Sequence, residues 1–562
     1  MGPEIVITTD ETAVNNQAIA ALAHDPDIYQ RGTILVHVVP QPAKPKGVRR
    51  PDGTPTIVPI RRALLQERMS KAARWCALSA KDELVSAHPP KWSIEAILQR
   101  GIWSGLRHLE GVVFGPVLRA DGTILARPGY DAETGLLSYS SVSLAGVPEN
   151  PTASDLKQAI AILDDAIHDF PFASPGHRAA WYALLLTIVS RHAFSGPAPL
   201  TVIDANIAAS GKGLLVDLTT TIAIGRRPSR LAYSPSDEEI RKLITSLAIA
   251  GDSLVLIDNV EGAFGSPALD AALTATSWND RLLGRSEIVE MPLRVTWMST
   301  ANNAFLKGDL ARRVLHSRLR SEVDNPEQRT GFRHPNLIAW ATENRPTLLG
   351  AVFTILRAYI AAGRPNLGLP AWGSFEEWSD LVRNAIVYAG LPDPAETRED
   401  LRRRSDIEGQ GLSALLMGLQ LLDPDQSGLT ASEILATVTD PEKSRKESAQ
   451  MIREALLQIC RTTSGGLPNA QSIGMTLHHL RERPCQGMCL DKRDRHGTSA
   501  WFVRHVAGGT SGASGTNLPR TRAKNSGPKS TKSQTKIKRK AGENSPTSSP
   551  SPTQPKQDVA VF

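Results

Sequence analysis

Apolar positions along the chain fall into three rhythms. Leu64, Leu65, Met69, Ala72, Ala73 and Cys76 recur at three- and four-residue spacing, which predicts a helix over 60–79 with one buried face. The run PVLR-ADG-TILA predicts a hairpin over 115–126 with Asp121-Gly122 in the turn. A second helix is predicted over 152–170, capped by Thr152 or Ser154 and buried through Leu156, Ala159, Ile160 and Leu163. From 175 to 325 short apolar runs alternate with amphipathic segments, the pattern of a βαβ sheet. Residues 335–425 read as helical throughout, and 426–506 as a small helical domain ending in a hairpin. From Gly508 onward the chain is Gly, Ser, Thr, Pro and Lys with almost nothing to bury, so a disordered tail is expected. The chain thus divides into a mixed α+β part (1–150), an α/β part (151–330), a helical extension (331–425), a small C-terminal domain (426–506) and the tail (507–562).

The α/β part carries the chemistry. In PAPLTVIDANIAASGKGLLVDLTTTIA (198–224), a short buried strand over 200–203 runs into a loop, and Gly211-Lys212 opens a helix through Leu214, Leu215, Leu218 and Ile222. A strand, a loop and a helix opening with Gly-Lys make a phosphate-binding P-loop, in which backbone N–H groups cradle phosphates and a lysine reaches the terminal ones. The cradle here is Asn206, Ile207, Ala208, Ala209, Ser210, Gly211, Lys212, Gly213 and Leu214. Two positions depart from the usual pattern. Asn206 stands where a glycine is common, tolerated because asparagine visits left-handed backbone easily. Gly213 replaces the Ser or Thr whose hydroxyl binds Mg²⁺.

Forty-six residues after Lys212, SLVLIDN places Asp258 at the end of a buried strand over 254–257, positioned to hold Mg²⁺ or its waters. Forty-four residues further, LRVTWMSTANN predicts a strand over 293–299 leading to Asn302 and Asn303, polar groups able to touch the γ-phosphate of a nucleotide. GDLARRVLHSRLR then presents Arg312 and Arg313, candidates to stabilise transition-state charge in a neighbouring subunit. Asn259 occupies the place of a second acid that often activates water, and Glu261 is a nearby substitute.

This order of motifs resembles the superfamily III helicase branch of AAA+ ATPases, closest to the ATPase half of primase-helicases from phages, plasmids and integrated elements. The likeness covers about 175–325 well, and RADGTILARPGYDAETGLL and WNDRLLGRSEIVEMPL also resemble what surrounds such an ATPase. The resemblance implies a P-loop NTPase (AAA+-like) fold, ATP and Mg²⁺ as cofactors, and a homo-oligomer, commonly a hexameric ring, moving along single- or double-stranded DNA. Residue by residue, it gives Lys212 to the β/γ-phosphates, Asp258 to Mg²⁺, Asn302 or Asn303 to sensing, and Arg312 or Arg313 to the finger in trans. It also makes Arg281 and Arg285, flanking Gly284, either a DNA-gripping loop or a hairpin that ties the sheet edge. The implied activity is an ATP-dependent DNA helicase or translocase for a mobile element; whether a separate primase partners it stays open. Gly213 and Asn259 keep a second reading open, a DNA-binding ATP switch that does not unwind, and a third is a non-catalytic DNA-binding scaffold.

Charge sharpens the DNA reading. The chain carries +7, but the tail from Ala507 holds ten Lys/Arg and two acids, leaving 54 basic against 55 acidic residues elsewhere. Nine of the tail's cations lie within 520–540, including Lys536, Lys538, Arg539 and Lys540. Such a run is either a nucleic-acid arm, gaining affinity by counterion release, or a solubilising tail. SIGMTLHHLRERPCQGMCLDKRDRHGTSAWFVRHV predicts a helix ending at Leu480 and two strands, a winged-helix pattern in which Arg481, Arg483, Lys492, Arg493 and Arg495 are either further DNA contacts or a solvated surface. The C-x₃-C of Cys485 and Cys489 has no second pair and is not read as a zinc site. The longest apolar run, 179–189, is eleven residues where a membrane span needs ~20. With four cysteines and no secretory leader pattern, the expected location is bacterial cytoplasm.

Overall fold

A computed structural model describes residues 2–41, 48–144, 146–281, 288–405, 407–460, 466–495 and 497–506. Its centre is a six-stranded sheet. The strands are β1 (Val48–Arg49), β2 (Leu200–Ala205), β3 (Ser229–Ala232), β4 (Leu254–Val260), β5 (Thr296–Asn302) and β6 (Val314–Leu319). They lie in the order β6-β2-β5-β4-β3-β1, the first five parallel and β1 antiparallel on β3. Both faces are covered, so the strands read as continuous apolar runs: every residue of β2 is buried.

Helices fill the connections. α1 (Ala153–Ala166) starts at Thr152, whose hydroxyl and the Asp155 carboxylate cap each other's backbone N–H groups. α2 (Pro175–Ser190) is buried from Ala179 to Ser190, so the longest apolar run of the chain is an internal helix. No helix among the described residues is long and apolar enough to cross a membrane. α3 (Lys212–Ile224) follows β2 and joins α2 in one core, where the Trp181 indole N–H donates to Thr219 Oγ1 at 2.8 Å. α4 (Asp237–Ala250) packs on the opposite face with Ile240, Ile244 and Leu247.

Two expectations change in detail. The predicted helix over 60–79 stops at Ala72, and Arg74–Leu78 is a strand parallel to Glu4–Ile7. Ala73 is extended and the Trp75 indole N–H bonds the Met69 carbonyl, so the apolar positions at 75 and 76 face a sheet core. The sensor strand runs three residues later than predicted, over Thr296–Asn302. The predicted hairpin turn forms, with Gly122 at φ 86° and its N–H on the Arg119 carbonyl at 3.0 Å. The C-terminal part is a short strand (Leu429–Thr430), three helices (Ala431–Thr439, Glu447–Ile459, Ala470–Leu480) and two strands (Met488–Arg495, Thr498–His505) in a three-stranded sheet.

One buried side chain ties the N-terminal residues to the central sheet. Arg31 is 2% exposed, and its guanidinium donates to the carbonyls of Leu109 (3.1 Å), Glu110, Ala248 (3.2 Å) and Pro292 (3.1 Å). Ala248 lies in the last turn of α4, where its carbonyl also takes the Gly251 N–H at 3.3 Å. Burial lowers the Arg31 pKa to about 10, countered by Glu110 and Asp252. Arg31→Ala takes the guanidinium from all four carbonyls and is expected to cost ~3–5 kcal/mol, read as a lower urea midpoint.

Candidate functional site

Parallel strands end together, and the loops at the C-terminal ends of β2, β5 and β4 converge. The loop after β2 folds around two left-handed residues, Ala209 (φ 58°) and Gly211 (φ 91°). Gly211 is required there: a Cβ would also sit 3.2 Å from the Phe170 ring. Asn206 is not left-handed. Its side chain instead clamps Ser321, donating to the carbonyl at 2.8 Å and accepting from the N–H at 2.9 Å. Ser210 Oγ donates to the Ile207 carbonyl at 2.6 Å and stiffens the loop. α3 begins at Lys212 with no side-chain cap, so its first-turn N–H groups face the loop as an anion-binding helix start.

Lys212 Nζ donates to Asn302 Oδ1 at 2.6 Å. Burial lowers the lysine's pKa, with Asp204 opposing the shift. Asn302 and Asn303 therefore separate in role. Asn303 (φ 49°) is structural: its Nδ2 donates to the Asn206 carbonyl at 3.2 Å and its Oδ1 accepts from Arg318 at 2.8 Å. Asn302 alone of the pair touches the lysine.

Asp258 stands on the strand next to β5. Its Oδ1 accepts from Thr300 Oγ1 at 2.7 Å and its Oδ2 from Arg230 at 2.9 Å. Asn259 sits at φ 50° where β4 bulges, its N–H donating to Thr300 Oγ1 at 2.8 Å and its amide to Glu261 Oε1 at 3.2 Å. Ile207 and Ala208 lie in this loop, and Leu214 lies in the first turn of α3 with its side chain exposed. A Cβ at Gly213 meets nothing within 4 Å, so the missing hydroxyl leaves open space.

The two arginines also differ. Arg313 is 22% exposed, donates to the Asp270 carbonyl and pairs with both Asp270 (3.4 Å) and Asp309 (3.4 Å). Arg312 is 63% exposed and, among the described residues, pairs with Asp309. Burial raises the Asp270 carboxyl to about 6, against the pull of Arg313. Arg281 ends one strand of an antiparallel hairpin, Ser277–Arg281 with Ile288–Pro292. Arg285 and the tail cations Lys536, Lys538, Arg539 and Lys540 lie outside the described residues. In the C-terminal part, Arg481 pairs with Asp491 (3.0 Å) and Arg495 with Glu433 (3.1 Å), while Arg493 lies over the Phe502 ring at 4.2 Å.

Sequence reasoning missed the residues beneath the site. Asp204, fully buried, accepts from His316 (3.1 Å), Arg318 and the Ala304 N–H (3.0 Å). Burial pushes its carboxyl up, but these bonds and the charges of His316 and Arg318 outweigh it and hold the pKa below the ordinary value. The available signal was a charge inside the apolar run TVIDA. Arg230 and Asp217, bonded at 3.0 Å, carried no motif.

No protein family matches the chain, and no curated protein matches it. Helicases are among its structural neighbours. The apo C-terminal region of NrS-1 is 10% identical with a TM-score of 0.38, covering 87% of this chain and 99% of that one. SCCmec type IV Cch, described as an active helicase, is 9% identical with a TM-score of 0.32, covering 85% and 97%. JCV helicase is 14% identical with a TM-score of 0.19, covering 43% and 73%. Scores this low carry no argument about what this chain does.

Because its folded pKa lies below the unfolded value, Asp204 stabilises the fold fully above about pH 5 and loses that contribution as pH falls from ~4 toward the folded value. Asp204→Asn is expected to lower the unfolding free energy at pH 7 by ~3–5 kcal/mol. It also flattens the acid limb of stability against pH, measured by denaturant unfolding at pH 3 to 7.

Proposed function

We propose that this chain is an ATP-dependent DNA helicase or translocase serving a mobile element. One observation carries the reading. Lys212 lies at an uncapped helix start, bonded to Asn302 on β5, with Asp258 on the next strand over. The donor set fits a nucleoside triphosphate with Mg²⁺: backbone N–H groups and an ammonium for phosphate, a carboxylate for the metal. Bound ATP–Mg²⁺ supplies a transferable γ-phosphoryl group.

The roles of the side chains follow from their surroundings. Lys212 exchanges the Asn302 amide for phosphate oxygens, and Asn302 is then free to bond the γ-phosphate or a water beside it. Thr300 fixes the Asp258 rotamer through its hydroxyl. Arg312, exposed at the rim, suits an arginine finger reaching a neighbouring subunit of a hexameric ring, whereas Arg313 braces the Asp270 segment. DNA would be held by the hairpin ending in Arg281, by the basic tail, and by the strand–helix–helix–helix–hairpin C-terminal part, read as a winged helix with Arg493 on its wing. A separate primase would act beside it.

A second reading, an ATP switch without unwinding, draws on Gly213 and on Asn259, whose amide is paired with Glu261. Steady-state hydrolysis with and without single-stranded DNA separates the two. The motor is expected to turn over faster with DNA, and Lys212→Ala to lose about a hundredfold or more. Turnover absent in the wild type, with ATP-dependent DNA binding lost in Lys212→Ala, would establish the switch.

Gly213→Thr adds a hydroxyl where a new Cβ meets open space. It is expected to raise turnover several-fold in the same assay at limiting Mg²⁺. An unchanged rate would mean that another group already completes the metal's coordination.

A further inference from the structure

Asp258, the one carboxylate assigned to the metal, already has a cationic partner within its own chain. Arg230, on β3, spans two carboxylates: one guanidinium nitrogen donates to Asp258 Oδ2 at 2.9 Å and the other to Asp217 Oδ1 at 3.0 Å. Asp217 lies on α3, one turn beyond Gly213 and therefore on the same helix face. Register makes the contact inevitable. Arg230 stands opposite Leu256, and Asp258 is the next residue of β4 on that side of the sheet. The side chains of Arg230, Asp217 and Asp258 are 33%, 20% and 36% exposed, so the guanidinium is held but reachable by solvent.

A divalent cation and a guanidinium on the same oxygen, Asp258 Oδ2, repel each other, so each weakens the other's hold. Asp217 lets Arg230 leave without becoming an unpaired charge, since it retains its second carboxylate. Exposed Arg227, 3.8 Å from Asp217 Oδ2, is a weaker competitor for that carboxylate.

Resting on the proposed ATPase reading, we infer that Arg230 is a built-in competitor of Mg²⁺ at Asp258, with Asp217 as its holding site. The pair raises the Mg²⁺ concentration needed to complete the nucleotide site and keeps Asp258 neutralised until metal arrives. Arg230 is a positioning residue, acting through Asp258.

The test is binding of a fluorescent (MANT) ATP analogue to the full chain, titrated with Mg²⁺ from a metal-free start. Mn²⁺ electron paramagnetic resonance on the same samples gives a second readout of the metal. Arg230→Gln is expected to lower the half-saturating Mg²⁺ about fivefold, the factor equivalent to a ~1 kcal/mol part-exposed ion pair. Asp217→Asn, which removes the holding site, is expected to raise it. Metal-free analogue binding should be unchanged in both variants, which also shows that they fold. Equal Mg²⁺ dependence in all three proteins overturns the inference alone, as does a rise in Arg230→Gln. Analogue binding absent from the wild type, with or without metal, overturns the ATPase reading and this inference with it.

Discussion

A carboxylate with no exposed surface sits under the loops that make the site. Asp204 is the penultimate residue of β2. Cross-strand register puts Arg318 of β6 directly opposite it and His316 one pleat away, while its other oxygen takes the Ala304 N–H just past the end of β5. An ion this deep is tolerable only when its lone pairs are all answered. Answering them locks three strand ends to one another. Arg318 passes the constraint on through Asn303, whose amide holds the Asn206 carbonyl at the mouth of the phosphate loop. Loop shape, the direction of Asn302 and hence the position of Lys212 depend on this one buried charge.

The sheet order explains why such a node lies at β2. Its neighbours are β5 and β6, whereas the helix leaving it, α3, leads to β3 on the far side of β5 and β4. Strand order therefore reverses beside β2, and the loops on either side diverge and open a crevice at the strands' C-terminal ends. The helix start brings partial positive charge to that crevice. Asp204 prevents it from collapsing by fixing the floor.

Much of this was legible along the chain, for a physical reason. Strands buried on both faces must be apolar without interruption, so β2, β4 and β5 stood out, and polar residues at their ends fell at readable spacings. Lys212, Asp258 and Asn302 were singled out this way, and the fold brings them to neighbouring element ends. What was not legible depends on register or on competing periodicities. Cys76 fits a helical face and a strand face equally, and only pairing with Glu4–Ile7 decides between them. Val48–Arg49 is a two-residue strand that no pattern announces; it is held on β3 while Arg50 pairs with Asp252. Asp204, His316 and Arg318 are scattered over more than a hundred positions, as are the four carbonyls gathered by Arg31. Asn206 is the instructive exception: its side chain suggested a left-handed turn, but it became a clamp on Ser321, and Ala209 took the unusual backbone instead.

The charged groups of the crevice divide by the kind of partner they hold. Lys212 is bonded to a neutral amide, which returns no charge, so a phosphate oxygen displaces it at little electrostatic cost. Asp258 is bonded to a guanidinium, so anything that takes its place must bring positive charge of its own. On the proposed ATPase reading, the half of the site that faces phosphate would be preorganised and the half that faces metal guarded. Gly213 would fit that asymmetry, withholding a neutral metal ligand and leaving Arg230 as the competitor at Asp258. On that reading nucleotide alone would satisfy Lys212, and only the added charge of magnesium would release Arg230 from Asp258.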